Sequence, residues 1–102
     1  MEYEVKQTDT FQRWLKKLKD RTAVLAIAAR LDRARFGNFG DSKAIGGGVR
    51  EMRFFVEPGY RIYYTIRGRK IVLLLCGGDK SSQARDVHRA KAMMDMMKEE
   101  EL

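Results

Sequence analysis

The chain has one cysteine, one histidine and one tryptophan, and no apolar run approaches the roughly 18 residues needed to cross a bilayer. A lone cysteine cannot form an internal disulfide. Cys76 closes the apolar run Ile71-Val72-Leu73-Leu74-Leu75, where a thiol behaves as a small buried hydrophobe, as in a reducing compartment. One cysteine and one histidine give no zinc-ligand spacing, and the acidic residues are too scattered to pair around magnesium, so neither a metal nor a cofactor is implied. Met1-Glu2-Tyr3-Glu4 lacks the basic start and apolar middle of a secretion signal, so a cytoplasmic protein is expected, with no membrane partner. Internal repeats and low-complexity tracts are absent. None of Ser42, Ser81 and Ser82 sits in a Gly-x-Ser-x-Gly turn, which removes the nucleophile-elbow reading.

What remains is a basic chain. Its 102 residues, 44% of them hydrophobic, suffice for one core and not for two, so residues 1–102 are expected to form a single domain. The net charge of +7 is uneven: residues 1–49 carry +4, residues 50–91 carry +6 and residues 92–102 carry −3. Such a field attracts polyanions and weakens as salt rises. It would equally keep a small protein soluble without any anionic partner.

Tyr3-Glu4-Val5-Lys6 alternates as a short strand does, and Thr8-Asp9-Thr10 supplies helix-capping chemistry. Phe11, Trp14, Leu15 and Leu18 then fall on one helical stripe. Asp20 can cap a second helix whose inward face is Val24, Ile27, Ala28 and Leu31, with Gly37 ending it. Residues 37–48 hold five of the nine glycines and no period, which predicts a loop. No Gly-Lys-Ser/Thr closes that segment and no strand opens from it into a helix, so a phosphate-binding loop for mononucleotides is excluded.

From Val49 the period falls to two. Met52, Phe54 and Val56 alternate with Glu51, Arg53 and Phe55, and Glu57-Pro58-Gly59 turns the chain into the strand Tyr60–Ile66. A two-residue turn would mix the apolar and polar sets. A three-residue loop pairing Glu57 with Arg61 separates them, leaving Arg53, Arg61, Tyr63 and Thr65 on one face. Residues 71–76 are apolar at every position, predicting a central strand covered at least in part on both sides. Ser81 or Ser82 caps a last helix with Ala84, Val87, Met94 and Met97 as its apolar stripe, and the acidic tail, residues 98–102, is expected to fray. The fold class is therefore α+β, in the order β-α-α-β-β-β-α. The sheet is mainly antiparallel, a helical hairpin packs on one face, and the other face is open and cationic.

Four stretches together carry a likeness: Trp14-Leu15-x-x-Leu18-Lys19-Asp20, Arg35-x-Gly37-Asn38-Phe39-Gly40-Asp41-x-Lys43, Gly59-Tyr60-Arg61-Ile62-Tyr63-Tyr64, and Leu73-Leu74-Leu75-x-Gly77-Gly78-Asp79-Lys80-Ser81-Ser82-Gln83. The chain resembles the phage-derived Gp49-like, HigB-like branch of the RelE/ParE toxin superfamily, the addiction-module killer proteins, over nearly its whole length. That resemblance implies a RelE-like fold and the toxin of a type II toxin–antitoxin pair, commonly a ribosome-dependent endoribonuclease acting on mRNA. Its partner would be a cognate antitoxin, of helix-turn-helix type in many such pairs. The ParE branch instead inhibits DNA gyrase, and a basic nucleic-acid-binding module without toxicity is a third reading.

Cleavage of RNA through its own 2′-hydroxyl needs a base for that proton, cations for the charge gathering on phosphorus, and an acid for the departing 5′-oxygen. Arg61 resembles the strand arginine that contacts the scissile phosphate in ribonuclease members, and a guanidinium can grip two oxygens at once. Pairing with Glu57 is its alternative role. Lys43 and Lys80 lie where family members carry basic residues at the active face, and can hold a phosphate or, with a lowered pKa, act as a base. His88 can shuttle a proton near neutral pH and resembles the tyrosine or histidine that ribonuclease members carry in or near the last helix, with Arg85 competing for that position. No tyrosine follows Tyr64, so a C-terminal tyrosine acid or base is missing. The catalytic candidates are Arg61, Lys80, His88 and Lys43. The RNA-binding candidates are Arg50, Arg53, Arg85 and Tyr63, the last as a ring on which a base stacks.

Overall fold

The structure, a computed structural model, describes residues 2–100. The chain order is β1 (Glu4–Gln7), α1 (Asp9–Lys17), α2 (Arg21–Ala34), β2 (Ser42–Gly46), β3 (Val49–Arg53), β4 (Arg61–Arg67), β5 (Ile71–Gly78), a single 3-10 turn (Lys80–Ser82) and α3 (Gln83–Glu100). Among these residues no helix is long and apolar enough to cross a membrane. The five strands form one sheet in the order β1-β5-β4-β3-β2, antiparallel except for the parallel pair of β1 with β5.

Local chemistry sets the starts of α1 and α2 as the sequence predicts, whereas the cap ahead of α3 is Asp79, at the head of the 3-10 turn, rather than Ser81 or Ser82. Thr8 caps α1, its Oγ1 accepting from Phe11 N at 3.1 Å and donating to Leu75 O at 2.7 Å, which fixes the helix against β5. Asp20 caps α2 through Ala23 N. Gly37 adopts φ +85° and closes the end of α2 with an N–H to Ala34 O. The inward face of α2 is Ala23, Ile27 and Ala34 with Leu31 packed beside them, so Ile27 and Leu31 of the predicted set face the core, Val24 is half-buried and Ala28 is exposed.

The sheet departs from expectation in three ways. Residues 42–46 form an edge strand where a loop was predicted, pairing Lys43 with Glu51 and Ala44 with Arg50. The β3–β4 register pairs Arg53 with Arg61 and Met52 with Ile62, four positions away from a Glu57–Arg61 pairing, because residues 54–60 form a longer connection. An even shift keeps each side chain on its expected face, so Arg53, Arg61 and Tyr63 do share one. That face, however, is not open. Helices α1 and α2 cover one side around Phe11, Ile27, Met52, Ile62, Tyr64, Val72 and Leu74. On the other side α3 lays Ala90 and Met94 over Val49, Tyr63, Leu75 and Cys76. The unbroken apolar run of β5 reflects this double cover. Helix α3 continues to Glu100; residues 101 and 102 of the acidic tail, and the fraying expected there, lie outside the described residues.

Candidate functional site

Where α3 stops covering the sheet, a cavity of about 230 Å³ opens. It is lined by Arg53, Arg61, Lys80, the segment Phe54–Glu57 and Gly59. Three cations arrive there on three separate elements: the end of β3, the start of β4 and the turn after β5. Gly59 is the hinge of the arrangement. It holds φ +82°, and a Cβ placed on it would lie 3.5 Å from Arg61 Nη1 and 3.6 Å from Lys80 Cβ. Its carbonyl accepts from Arg61 Nη1 at 2.9 Å. The connection is pinned on both flanks by Phe54 N–H donating to Tyr60 O at 3.0 Å and Gly59 N–H donating to Val56 O at 2.7 Å.

Beneath Arg61 lies a buried acid that alternation alone had placed on a solvent-facing side. Glu51 is 1% exposed, with Oε2 at 3.8 Å from Arg61 Nε and accepting from Gln83 Nε2 at 3.0 Å. The partner of Arg61 is thus Glu51 and not Glu57. Next along, Asp86 is buried against Gly78 and accepts from Ser82 Oγ at 2.5 Å. Burial, with the Glu51 and Asp86 carboxylates beside it, holds the Tyr63 phenol well above its usual pKa. Arg53 is compensated differently, by Asp41 at 3.3 Å. Lys80 is exposed and makes no ion pair among the described residues. Asp79 caps the turn that carries it, accepting from Ser81 N and Ser81 Oγ, and these bonds hold its carboxyl below the ordinary aspartate range.

Chemically, the cavity offers two guanidiniums whose orientation is set by buried or half-buried carboxylates, one free ammonium, and the carboxylate of Glu57 at the lip. Such a set favours an anion carrying more than one oxygen. The phage-derived protein Gp49-like family matches residues 13–98, from within α1 almost to the end of α3. The chain belongs to this family.

This Gp49-like protein is 45% identical over 93 residues to an uncharacterized protein of Haemophilus influenzae, spanning 91% of this chain and 94% of that one. Its fold is that of the RelE toxins. A mutant of the E. coli toxin RelE in its free state superposes with a TM-score of 0.73 at 18% identity, covering 91% of this chain and 97% of that one. A chain of the Mycobacterium tuberculosis toxin–antitoxin complex RelBE2 gives 0.64 at 21% identity, over 78% and 100% of the two chains. The intact E. coli RelBE complex gives 0.63 at 18%, over 76% and 95%.

Of the sequence-predicted residues, the Gp49-like structure brings Arg61, Lys80 and Arg53 to one cavity and sets the others apart. Lys43 is exposed on edge strand β2 in the same row as Glu51, outside the cavity lining. Arg50 points to the opposite side of the sheet, where its Nε donates to Tyr64 OH at 3.3 Å, so it does not join Arg53. Arg85, 81% exposed, lies with Nε 3.9 Å from Asp86 Oδ1, and His88 is exposed on α3; neither lines the cavity. Tyr63 corrects the reading of a base-stacking ring. It is fully buried under α3 and can meet no base, because α3 occupies the face that the sequence reading left open. Three residues at the cavity were not among the predicted site residues: Glu51, Phe55, and Glu57, which was expected only as a partner of Arg61. Only Glu51 had a signal: a carboxylate two residues after Val49, and so on the same face of β3 as that apolar side chain.

Proposed function

We propose that this Gp49-like protein is the toxin of a type II toxin–antitoxin pair, a ribosome-dependent endoribonuclease that cuts mRNA and is neutralised by a cognate antitoxin. The convergence of Arg53, Arg61 and Lys80 on one small cavity carries this reading. The RelE fold and the toxin–antitoxin complexes among its structural relatives support it. In the reaction the RNA 2′-oxygen attacks phosphorus and the 5′-oxygen departs, leaving a cyclic phosphate and a 5′-hydroxyl. Arg61, held by Glu51 and the Gly59 carbonyl, meets the non-bridging oxygens with little reorganisation as charge builds on them. Arg53 and Lys80 add positive charge from either side. Glu57 and Lys80 both line the cavity; in this reading the Glu57 carboxylate accepts the 2′-proton and the Lys80 ammonium delivers one to the 5′-oxygen.

Induced without its antitoxin, the protein is expected to arrest translation, with new mRNA 5′ ends inside codons by primer extension. Lys80→Ala and Arg61→Lys each remove a contact made most strongly in the transition state and should lower cleavage by about 10²–10³-fold. Arg61→Lys is preferred to Arg61→Ala because it leaves Glu51 a cation. Supercoiling inhibition with intact mRNA would replace this reading with gyrase poisoning, and harmless expression in both assays would leave a basic nucleic-acid-binding module.

A further inference from the structure

The most exposed large hydrophobic side chain described in the molecule stands at the mouth of this cavity. Phe55 is 87% exposed and lines the same space as Arg53, Arg61 and Lys80. Its neighbours explain why it is held outward. Phe54 is buried under the Arg30 guanidinium, 4.5 Å from its ring centroid, and Tyr60 is buried beside Trp14, with ring centroids 6.4 Å apart. With Phe54 N–H bonded to Tyr60 O, both ends of the connection are anchored in the core, and alternation leaves Phe55 facing away from it. Leaving a phenyl ring in water forgoes the burial free energy of a large apolar side chain, and nothing within the fold requires it at this position.

Cavity size supplies the second half of the argument. At about 230 Å³ it falls below the roughly 300–1,000 Å³ of sites that enclose a nucleotide-sized ligand. It accommodates a phosphate and part of its sugar, so the attached base must lie outside, against whatever surface borders the opening. An exposed aromatic face beside a cluster of cations is the pairing by which single-stranded nucleic acid is gripped, backbone on the charges and base on the ring.

We propose that Phe55 is a base-stacking platform for single-stranded RNA, seating the nucleotide next to the linkage held by Arg53, Arg61 and Lys80. This rests on the ribonuclease reading above and adds a subsite to it. Because stacking is indifferent to base identity, the subsite contributes affinity and placement rather than sequence choice.

The test is equilibrium binding of the purified protein to a short fluorescent 2′-O-methyl oligoribonucleotide, which cannot be cleaved, over a range of salt. Phe55→Ala should raise Kd by about 5- to 150-fold, the range for loss of one stacked base, without changing the salt slope. Phe55→Leu, equally apolar but without a ring, should bind like Phe55→Ala, and Phe55→Trp should bind at least as well as the parent. Lys80→Ala should weaken binding and flatten the salt slope. If Lys80→Ala has that effect while Phe55→Ala binds normally, the stacking proposal is overturned and the ribonuclease reading stands. If the parent protein shows no binding that Lys80→Ala diminishes, the stacking proposal is overturned, while the ribonuclease reading stands or falls on the primer-extension assay above. If Phe55→Ala keeps RNA affinity but no longer binds the antitoxin, the ring is a protein-docking residue and the proposal is wrong.

Discussion

Replacing Glu51 tests whether the buried acid holds the site together. Glu51→Met keeps a side chain of similar length, removes the charge under Arg61 and strips Gln83 Nε2 of its acceptor. Removing one partner of a buried ion pair costs about 3–5 kcal/mol, mostly from the charge left behind. Here Arg61 remains 12% exposed through the cavity and keeps the Gly59 carbonyl, which places the cost at the lower end, about 3 kcal/mol. For a domain of this size that lowers Tm by about 12–24 °C, and about 3 kcal/mol is a large part of a total stability of about 5–15 kcal/mol. Urea unfolding followed by the fluorescence of Trp14, which packs over Gly77 at the end of β5, measures it at constant m-value. The double variant Glu51→Met/Arg61→Met should recover more than half of the loss, because an ion pair replaced by apolar side chains leaves no stranded charge. A double variant as unstable as the sum of its parts would refute the reasoning. The same logic warns that Arg61→Ala strands Glu51, so lost activity in that variant has meaning only beside its measured stability.

Gly78→Ala should cost about 2–4 kcal/mol in the same unfolding assay, because its Cβ would lie 1.8 Å from Asp86 Oδ2 and force α3 off the sheet; normal stability would show that α3 can shift freely. Burial pushes the Cys76 thiol up to about 12, so the unfolded chain releases this proton first. Stability should fall as pH rises above about 8.5, the unfolded thiol value, and thiol reagents at pH 8 should label Cys76 only in denaturant. Asp79→Ala removes the cap of the turn bearing Lys80 and should cost about 1 kcal/mol. Because the folded carboxyl is the stronger acid, its contribution is complete above the unfolded value near 3.9 and should fade as pH falls below it, a fade absent from Asp79→Ala.

Capping and periodicity are local, and what they govern was legible. Thr8, Asp20 and Gly37 act where the sequence places them, and the doubly covered β5 follows from its unbroken apolar run. The edge strand β2 was not legible, because Ser42–Gly46 is mostly exposed and gains its pairing from β3 rather than from its own pattern. Alternation correctly gathered Arg53, Arg61 and Tyr63 on one face, but it does not say where a covering helix ends. That boundary separates buried Tyr63 from solvent-reaching Arg61 one pair along β4. The cavity exists only at this edge, which explains why Arg61, Arg53 and Lys80 meet there while Lys43, Arg50, Arg85 and His88 do not.

The parallel pairing of β1 with β5 governs how the molecule is made. Glu4–Gln7 can find its hydrogen-bonding partners only once Ile71–Leu74 exists, and Thr8 waits for Leu75, 67 positions later. At about 5–20 residues per second, the amino-terminal strand stays unpaired for several seconds of synthesis. Lys80 and the helix that covers Glu51 arrive later still. A nascent chain therefore carries Arg53 and Arg61 on an unfinished sheet and completes its cationic pocket only once Lys80, and Gln83 that binds Glu51, have been translated.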